Sequence, residues 1–191
     1  MNVVEPIKNI NKVQQILRYA KQNNERDYVM LELGFHTGLR ISDILKLKIG
    51  DIQDKKGNIK KYLVLREGKT NKFKRIKLNP EVRDCLKNYC KGKEAYEYLI
   101  KSRQHGEHGN KPITRQRAYQ IIIEIGGMLG IEDLGCHSLR KTFGYLYYKK
   151  TKDIALLQRL FNHSSQFITL RYIGVEQQAL DKALDDMNFG V

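Results

Sequence analysis

Residues 136–172, CHSLRKTFGYLYYKKTKDIALLQRLFNHSSQFITLRY, decide how this chain folds. Gly135 precedes a helical stretch in which Leu139, Phe143, Leu146 and Tyr147 fall on one stripe. Asp153 is placed to cap a second helix, with Ile154, Leu157, Leu160 and Phe161 turned inward. The short turn NHSSQ (162–166) then leads into a small helix that carries Tyr172. Residues 175–187 continue as an amphipathic tail, with Leu180, Leu184 and Met187 spaced four and three apart. Helices this closely spaced predict a mainly α chain.

The upstream segments agree. Residues 10–20 put Ile10, Val13, Ile16 or Leu17, and Ala20 on one helical face. Residues 26–35 read as a buried helix, ended by Gly38 and followed by the short helix ISDILKL with Ser42 near its start. Residues 61–66 (KYLVLR) and 73–78 (FKRIKL) read as strands joined by EGKTNK, an antiparallel hairpin. In the second strand Phe73, Arg75 and Lys77 alternate with Lys74, Ile76 and Leu78. Asn79-Pro80 stops that strand and opens the helix PEVRDCLKNYC. After a polar loop at 101–113, a helix from Thr114 to about Leu129 turns Ala118, Ile121 or Ile122, Ile125 and Met128 or Leu129 inward. The expected fold class is mainly α with a small antiparallel β-sheet (α+β), as one domain over 1–191.

Composition narrows the function. Lys plus Arg total 35 against 21 Asp plus Glu, a formal charge of +14. Such an excess favours a polyanionic partner, with nucleic acid ahead of an anionic membrane. Cys85, Cys90 and Cys136 show no paired spacing and read as free thiols of a reducing compartment. No apolar run reaches membrane-spanning length, and the N-terminus has no secretory or transit pattern, so the expected location is cytoplasmic.

Several side chains carry phosphate chemistry. His137 and Arg140 lie three apart at a helix start and share a face. An Arg fork binds two phosphate oxygens in fixed geometry, and a helix start adds N–H donors. Arg40 emerges from apolar neighbours Leu39, Ile41 and Ile44, with Asp43 three residues on to orient it. The hairpin gathers Arg66, Lys69, Lys72, Lys74, Arg75 and Lys77, a good size for lying along a groove against backbone phosphates. His163 and Tyr172 stand nine apart near the C-terminus.

Taken in order, these pieces resemble the catalytic domain of tyrosine recombinases, the phage-integrase family. Thr37-Gly38-Leu39-Arg40 with Asp43 resembles the family's T-G-L-R and acidic short helix. Gly68-Lys69-Thr70-Asn71-Lys72, then Arg75, resembles its basic hairpin; His137-Ser138-Leu139-Arg140 resembles H-x-L-R. Phe161-Asn162-His163-Ser164 followed by Tyr172 resembles L-G-H-S and the nucleophile. The resemblance implies strand cleavage through a 3′-phosphotyrosine, with Tyr172 as nucleophile and Arg40, Arg140 and His163 on the phosphate. It implies Lys69 as acid toward the leaving 5′-oxygen, His137 as acid/base toward Tyr172, and no metal or nucleotide cofactor. It further implies double-stranded DNA as partner, a homo-tetramer linked by exchanged C-terminal helices, and possible DNA-bending accessory proteins.

Asn162 stands where the family has Gly, and Asn tolerates the left-handed backbone that the turn needs. The family's N-terminal core-binding domain is not visible in the sequence, which reads as a short recombinase resembling fimbrial-switch invertases or as a truncated form. Competing readings are a type IB topoisomerase, a DNA-binding module without catalysis, and a metal-dependent nuclease. For the last, His36, His105 and His108 lack a carboxylate cluster at ligand spacing.

Overall fold

Helix starts in this chain are set by capping side chains. Asn9, Asn24, Asn79, Thr114, Asp153 and Ser165 each accept a backbone N–H from the first turn of the helix that follows. In a computed structural model the described residues are 4–68, 72–103, 109–185 and 187, apart from the side chains at 178, 180, 182, 183 and 185. Their order is α1 (Ile10–Asn23), α2 (Glu25–Thr37), α3 (Ile41–Ile44), α4 (Ile49–Ile52), β1 (Tyr62–Arg66), β2 (Phe73–Lys77), α5 (Pro80–Tyr89), α6 (Arg115–Met128), α7 (Cys136–Thr151), α8 (Ile154–Phe161), α9 (Gln166–Tyr172) and α10 (Val175–Asp185). The mainly helical reading and the single antiparallel hairpin hold. Helix α4, a single turn of IGDI, was not anticipated.

Helix α2 is the hub. Val29, Met30, Leu31, Leu33, Gly34 and Phe35 are all buried, so it is enclosed on nearly every side, packed against α1, α5 and α7. Its crossing with α7 is close: a Cβ at Gly34 would come within 2.7 Å of Leu139 Cδ1. Gly38 ends the helix in the left-handed region (φ 62°) and turns the chain, so Arg40, in extended backbone, becomes the N-cap of α3. Thus T-G-L-R is a helix stop followed by a reversal that brings an arginine back over the core.

In the hairpin, Leu63 pairs with Ile76, Leu65 with Lys74, and Arg66 with Phe73. The burial of β2 alternates strictly, with Lys74 and Ile76 inward. The outer face carries Val64, Arg66, Phe73, Arg75 and Lys77.

Helix α7 departs from the expected stripe. Leu139 is buried, but so are Ser138, Arg140, Thr142, Gly144 and Tyr145, while Phe143, Leu146 and Tyr147 are only partly covered. The helix is wedged between α2 on one side and α8 on the other, so small and polar positions face contacts that an apolar stripe cannot reveal. A Cβ at Gly144 would meet Ile173 Cγ2 at 2.7 Å and Phe161 Cε2 at 2.8 Å. This contact belongs to a second apolar cluster, Tyr145, Leu157, Phe161 and Ile173, which fixes α8 and α9 onto α7. At about 1.5–3 kcal/mol for each fully buried large side chain, that cluster is enough to hold the Tyr172 helix in place.

Candidate active site

Arg140 anchors the site. It is 2% exposed and its guanidinium lies 4.1 Å above the Phe161 ring. Nη1 donates to Gly38 O at 2.6 Å and Nη2 to Phe161 O at 3.0 Å. The same side chain therefore ties the reversal before Arg40 to the end of α8. Burial lowers its pKa, but an arginine stays charged through the neutral range.

Tyr172 ends α9 beside it. Its Oη lies 3.3 Å from His137 Nδ1. Its ring is edge-on to Phe161 (5.7 Å) and His163 (5.1 Å), and Lys141 Nζ stands 5.6 Å over it. Burial raises the Tyr172 pKa, offset in part by Arg140 and Arg40, so the phenol is protonated at neutral pH. His137 moves the other way: burial, with Arg115, Arg140, Lys141 and Arg40 nearby, lowers it below its ordinary 6.5. A neutral imidazole thus faces a neutral phenol, the pairing a general base needs.

His163 Nδ1 lies 3.1 Å from Thr169 Oγ1. The same hydroxyl lies 3.1 Å from Ser165 O. Asn162 holds φ 54°, as the turn requires. A cleft of about 240 Å³ is lined by Arg40, Ile41, Ser42, Arg115, Cys136, His137 and Arg140.

Arg40, His137, Arg140, His163 and Tyr172 are thus brought together from α3, α7, the α8–α9 turn and α9. Asp43 is buried, yet it is not the main partner of Arg40. Its Oδ2 is 3.9 Å from Arg40 Nη1, and its Oδ1 accepts the Gly68 N–H at 3.0 Å. The main partner is Glu67, which the sequence reading missed: Arg40 Nη1 donates to Glu67 Oε1 at 3.0 Å. Lys69 and the nuclease candidates His105 and His108 lie outside the described residues.

The DNA-contact expectation divides. Arg66, Lys72, Arg75 and Lys77 are exposed, with Arg66 over Phe73 (5.1 Å) and Arg75 over Tyr62 (3.8 Å). Lys74 is a correction. It is only 9% exposed and its Nζ donates to Glu67 Oε1 at 2.9 Å, because strand alternation turns it inward toward that carboxylate. Burial lowers its pKa, and the nearby Arg140 and Arg40 push the same way against Glu67. Arg115, at the start of α6 and in the cleft wall, was also missed; nothing in its local sequence separates it from other surface arginines.

His36 does have carboxylates near it. Nδ1 is 3.4 Å from Glu32 Oε1 and Nε2 is 3.4 Å from Glu81 Oε2. The sequence missed this group because Glu81 comes from α5. One ligand atom from each of these three residues lies within 4.8 Å of the others. Among the described residues no helix is long and apolar enough to cross a membrane.

Residues 9–179 match the phage integrase family. The chain is 42% identical over 177 residues to the probable integrase/recombinase YoeC of Bacillus subtilis, covering 93% of each. It is 29% identical to the tyrosine recombinase XerA of Pyrococcus furiosus, over 93% of this chain and 60% of XerA. It is also 29% identical to XerH of Campylobacter jejuni, over 76% of this chain and 40% of XerH. The chain therefore spans about half the length of these longer relatives. Among solved structures, a XerA recombinase superposes with a TM-score of 0.73 at 21% identity, over 93% of this chain and 62% of that one. A XerH recombinase bound to its difH substrate gives 0.68 at 22% identity, over 96% and 54%.

Proposed function

Because this chain belongs to the phage integrase family, we propose that it cuts and rejoins DNA strands at specific sites through a phosphotyrosine intermediate. The observation that carries this reading is the 3.3 Å approach of Tyr172 Oη to a neutral His137 in a cleft walled by Arg40 and Arg140.

In this reading Tyr172 Oη attacks the scissile phosphorus as His137 Nδ1 takes its proton. The P–O bond to the 5′-oxygen breaks, Lys69 supplies the proton that oxygen needs, and a 3′-phosphotyrosine remains. A 5′-hydroxyl of another strand then attacks phosphorus and releases Tyr172. One phosphodiester is exchanged for another, so neither ATP nor a metal is called for. Arg40 and Arg140 hold the non-bridging oxygens as charge shifts, and His163 adds a hydrogen bond to the same oxygens. Arg66, Lys72, Arg75 and Lys77 lay the hairpin along the backbone of double-stranded DNA.

A pool of nicked duplexes randomised around the nick tests the reading, because loss of the short fragment traps the covalent state. An adduct on a denaturing gel, formed in EDTA and without ATP, is expected from at least one member; a pool in which no duplex gives one overturns the proposal. With a selected duplex, the adduct rate should be flat through neutrality and fall only on the acid side of pH 6.5, where His137 takes up a proton. An acid limb that survives in His137→Gln assigns the proton transfer elsewhere.

Assembly follows the same chemistry, since exchanging strands between two duplexes takes four nucleophiles. Leu184 and Met187, 68% and 59% exposed, supply an apolar face on the tail that a neighbouring protomer would cover. Removal of residues 175–191 should leave single-site cleavage but abolish the four-protomer complex in sedimentation on DNA. An unchanged complex rules out exchange of this helix.

A further inference from the structure

Glu67 occupies an unusual place. It is 1% exposed at the end of the hairpin's first strand, in a segment otherwise crowded with cations. Its Oε1 accepts from Arg40 Nη1 at 3.0 Å and from Lys74 Nζ at 2.9 Å. Its Oε2 accepts from Asn162 Nδ2 at 2.7 Å. Its backbone N–H donates to Lys72 O at 3.0 Å, which fixes the start of the hairpin turn. One carboxylate is therefore bonded to the N-cap of α3, to β2 and to the C-cap of α8. The next residue joins the same network, because the Gly68 N–H donates to Asp43 Oδ1 at 3.0 Å.

From this geometry we infer that Glu67 is a positioning residue, and that Asn162 is its dedicated partner. Together they fix the Arg40 fork and the hairpin against the phosphate cleft. The role rests on the phosphodiester chemistry proposed above.

Two arguments favour this over an incidental buried ion pair. The first is Asn162. At φ 54° a glycine would fit without strain, so the turn alone does not require an amide there. The amide's contact is charge-assisted and short, and its acceptor is the carboxylate that also holds Arg40. The second is charge. Arg40 and Arg140 line the cleft, and Lys74 reaches the same carboxylate as Arg40 from behind it. A buried carboxylate lets these cations stand side by side, each in a fixed direction. Both oxygens of Glu67 are engaged from inside, so Arg40 can turn its remaining donors toward the cleft.

The test compares Glu67→Gln, Asn162→Gly and the double variant in two measurements. In adduct formation at saturating DNA, Asn162→Gly keeps the left-handed turn and loses only the Oε2 bond. Misaligned donors lower the rate constant, by roughly tenfold for Asn162→Gly and up to about 100-fold for Glu67→Gln, with DNA affinity and burst amplitude unchanged. The amplitude reports the folded fraction, so loss of structure alone would lower it and spare the rate constant. The double variant should be no slower than Glu67→Gln, since both break one network. Wild-type rates in Asn162→Gly, or penalties that multiply in the double variant, overturn the inference.

The second measurement needs no cleavage. Guanidinium nitrogen NMR of the DNA-free protein should resolve the Arg40 Nη signals in the wild type and show them averaged by free rotation in Glu67→Gln. If no duplex gives an adduct but these signals collapse, the recombinase reading falls and the positioning stands. Signals that stay resolved in Glu67→Gln remove the positioning role whatever the reaction.

Discussion

Tyr172→Phe should remove the proposed covalent DNA adduct and leave the fold and DNA affinity in place. The substitution deletes one oxygen. The ring keeps its edge-on contacts with Phe161 and His163, 5.7 and 5.1 Å between centroids, and Lys141 keeps its place above it. What is lost is the atom 3.3 Å from His137 Nδ1. No water positioned by the same base yields a protein-linked product, so the adduct falls by on the order of 10⁴-fold or more, as when a nucleophile is removed from other covalent enzymes. The measurement is a denaturing gel with the nicked duplex, alongside a binding isotherm and a melting curve. Tyr147 and Tyr148 on α7 are the competing phenols. Tyr147 stacks on Phe143 at 6.1 Å, and Tyr148 lies under Lys152 at 5.4 Å. An adduct that persists in Tyr172→Phe moves the nucleophile to one of them and dissolves the argument built on His137.

The residues legible in the sequence share a property: each is tied to a local signal that also sets its direction. Gly38 stops α2, so Arg40 is aimed by a turn that the letters announce. His137 and Arg140 sit in the first turns of a helix, three apart. Tyr172 closes a helix started by Ser165. Glu67 has no such signal. Among the cations of REGKTNK it reads as one acid lowering a local charge, and its importance comes from three contacts made across the fold. Lys74 was misjudged for the same reason. Its alternation with Phe73 and Arg75 was visible, but an inward lysine becomes tolerable only when a buried acid waits for it. On α7 the buried face includes Thr142, whose Oγ1 accepts the Ile7 N–H at 2.8 Å, a contact 135 residues apart in the chain. Periodicity sees apolar letters and misses positions buried for a hydrogen bond or for close approach.

Arg140→Ala should lower the adduct rate by about 10²–10³-fold, the usual effect of losing a donor to a developing oxyanion. It should also destabilise the protein, and here opposing effects must be weighed. The guanidinium is largely desolvated and Arg40 opposes its charge, so its removal relieves a like-charge repulsion. Against this, Gly38 O and Phe161 O lose their donors, each worth about 1–3 kcal/mol when left unpaired in the interior. The Phe161 face loses the group stacked 4.1 Å above it. The balance is a net loss of about 1–3 kcal/mol, read as a lower urea midpoint. Arg140→Lys separates charge from shape. A lysine restores a cation but not the planar fork that bonds two carbonyls in different directions while facing the cleft. The lysine variant should therefore regain part of the stability while its adduct rate stays at least about tenfold below wild type. A lysine enzyme at full rate would mean that positive charge alone acts on the phosphate. The contacts to Gly38 and Phe161 would then be scaffolding for the fold, with no share in aligning the reaction.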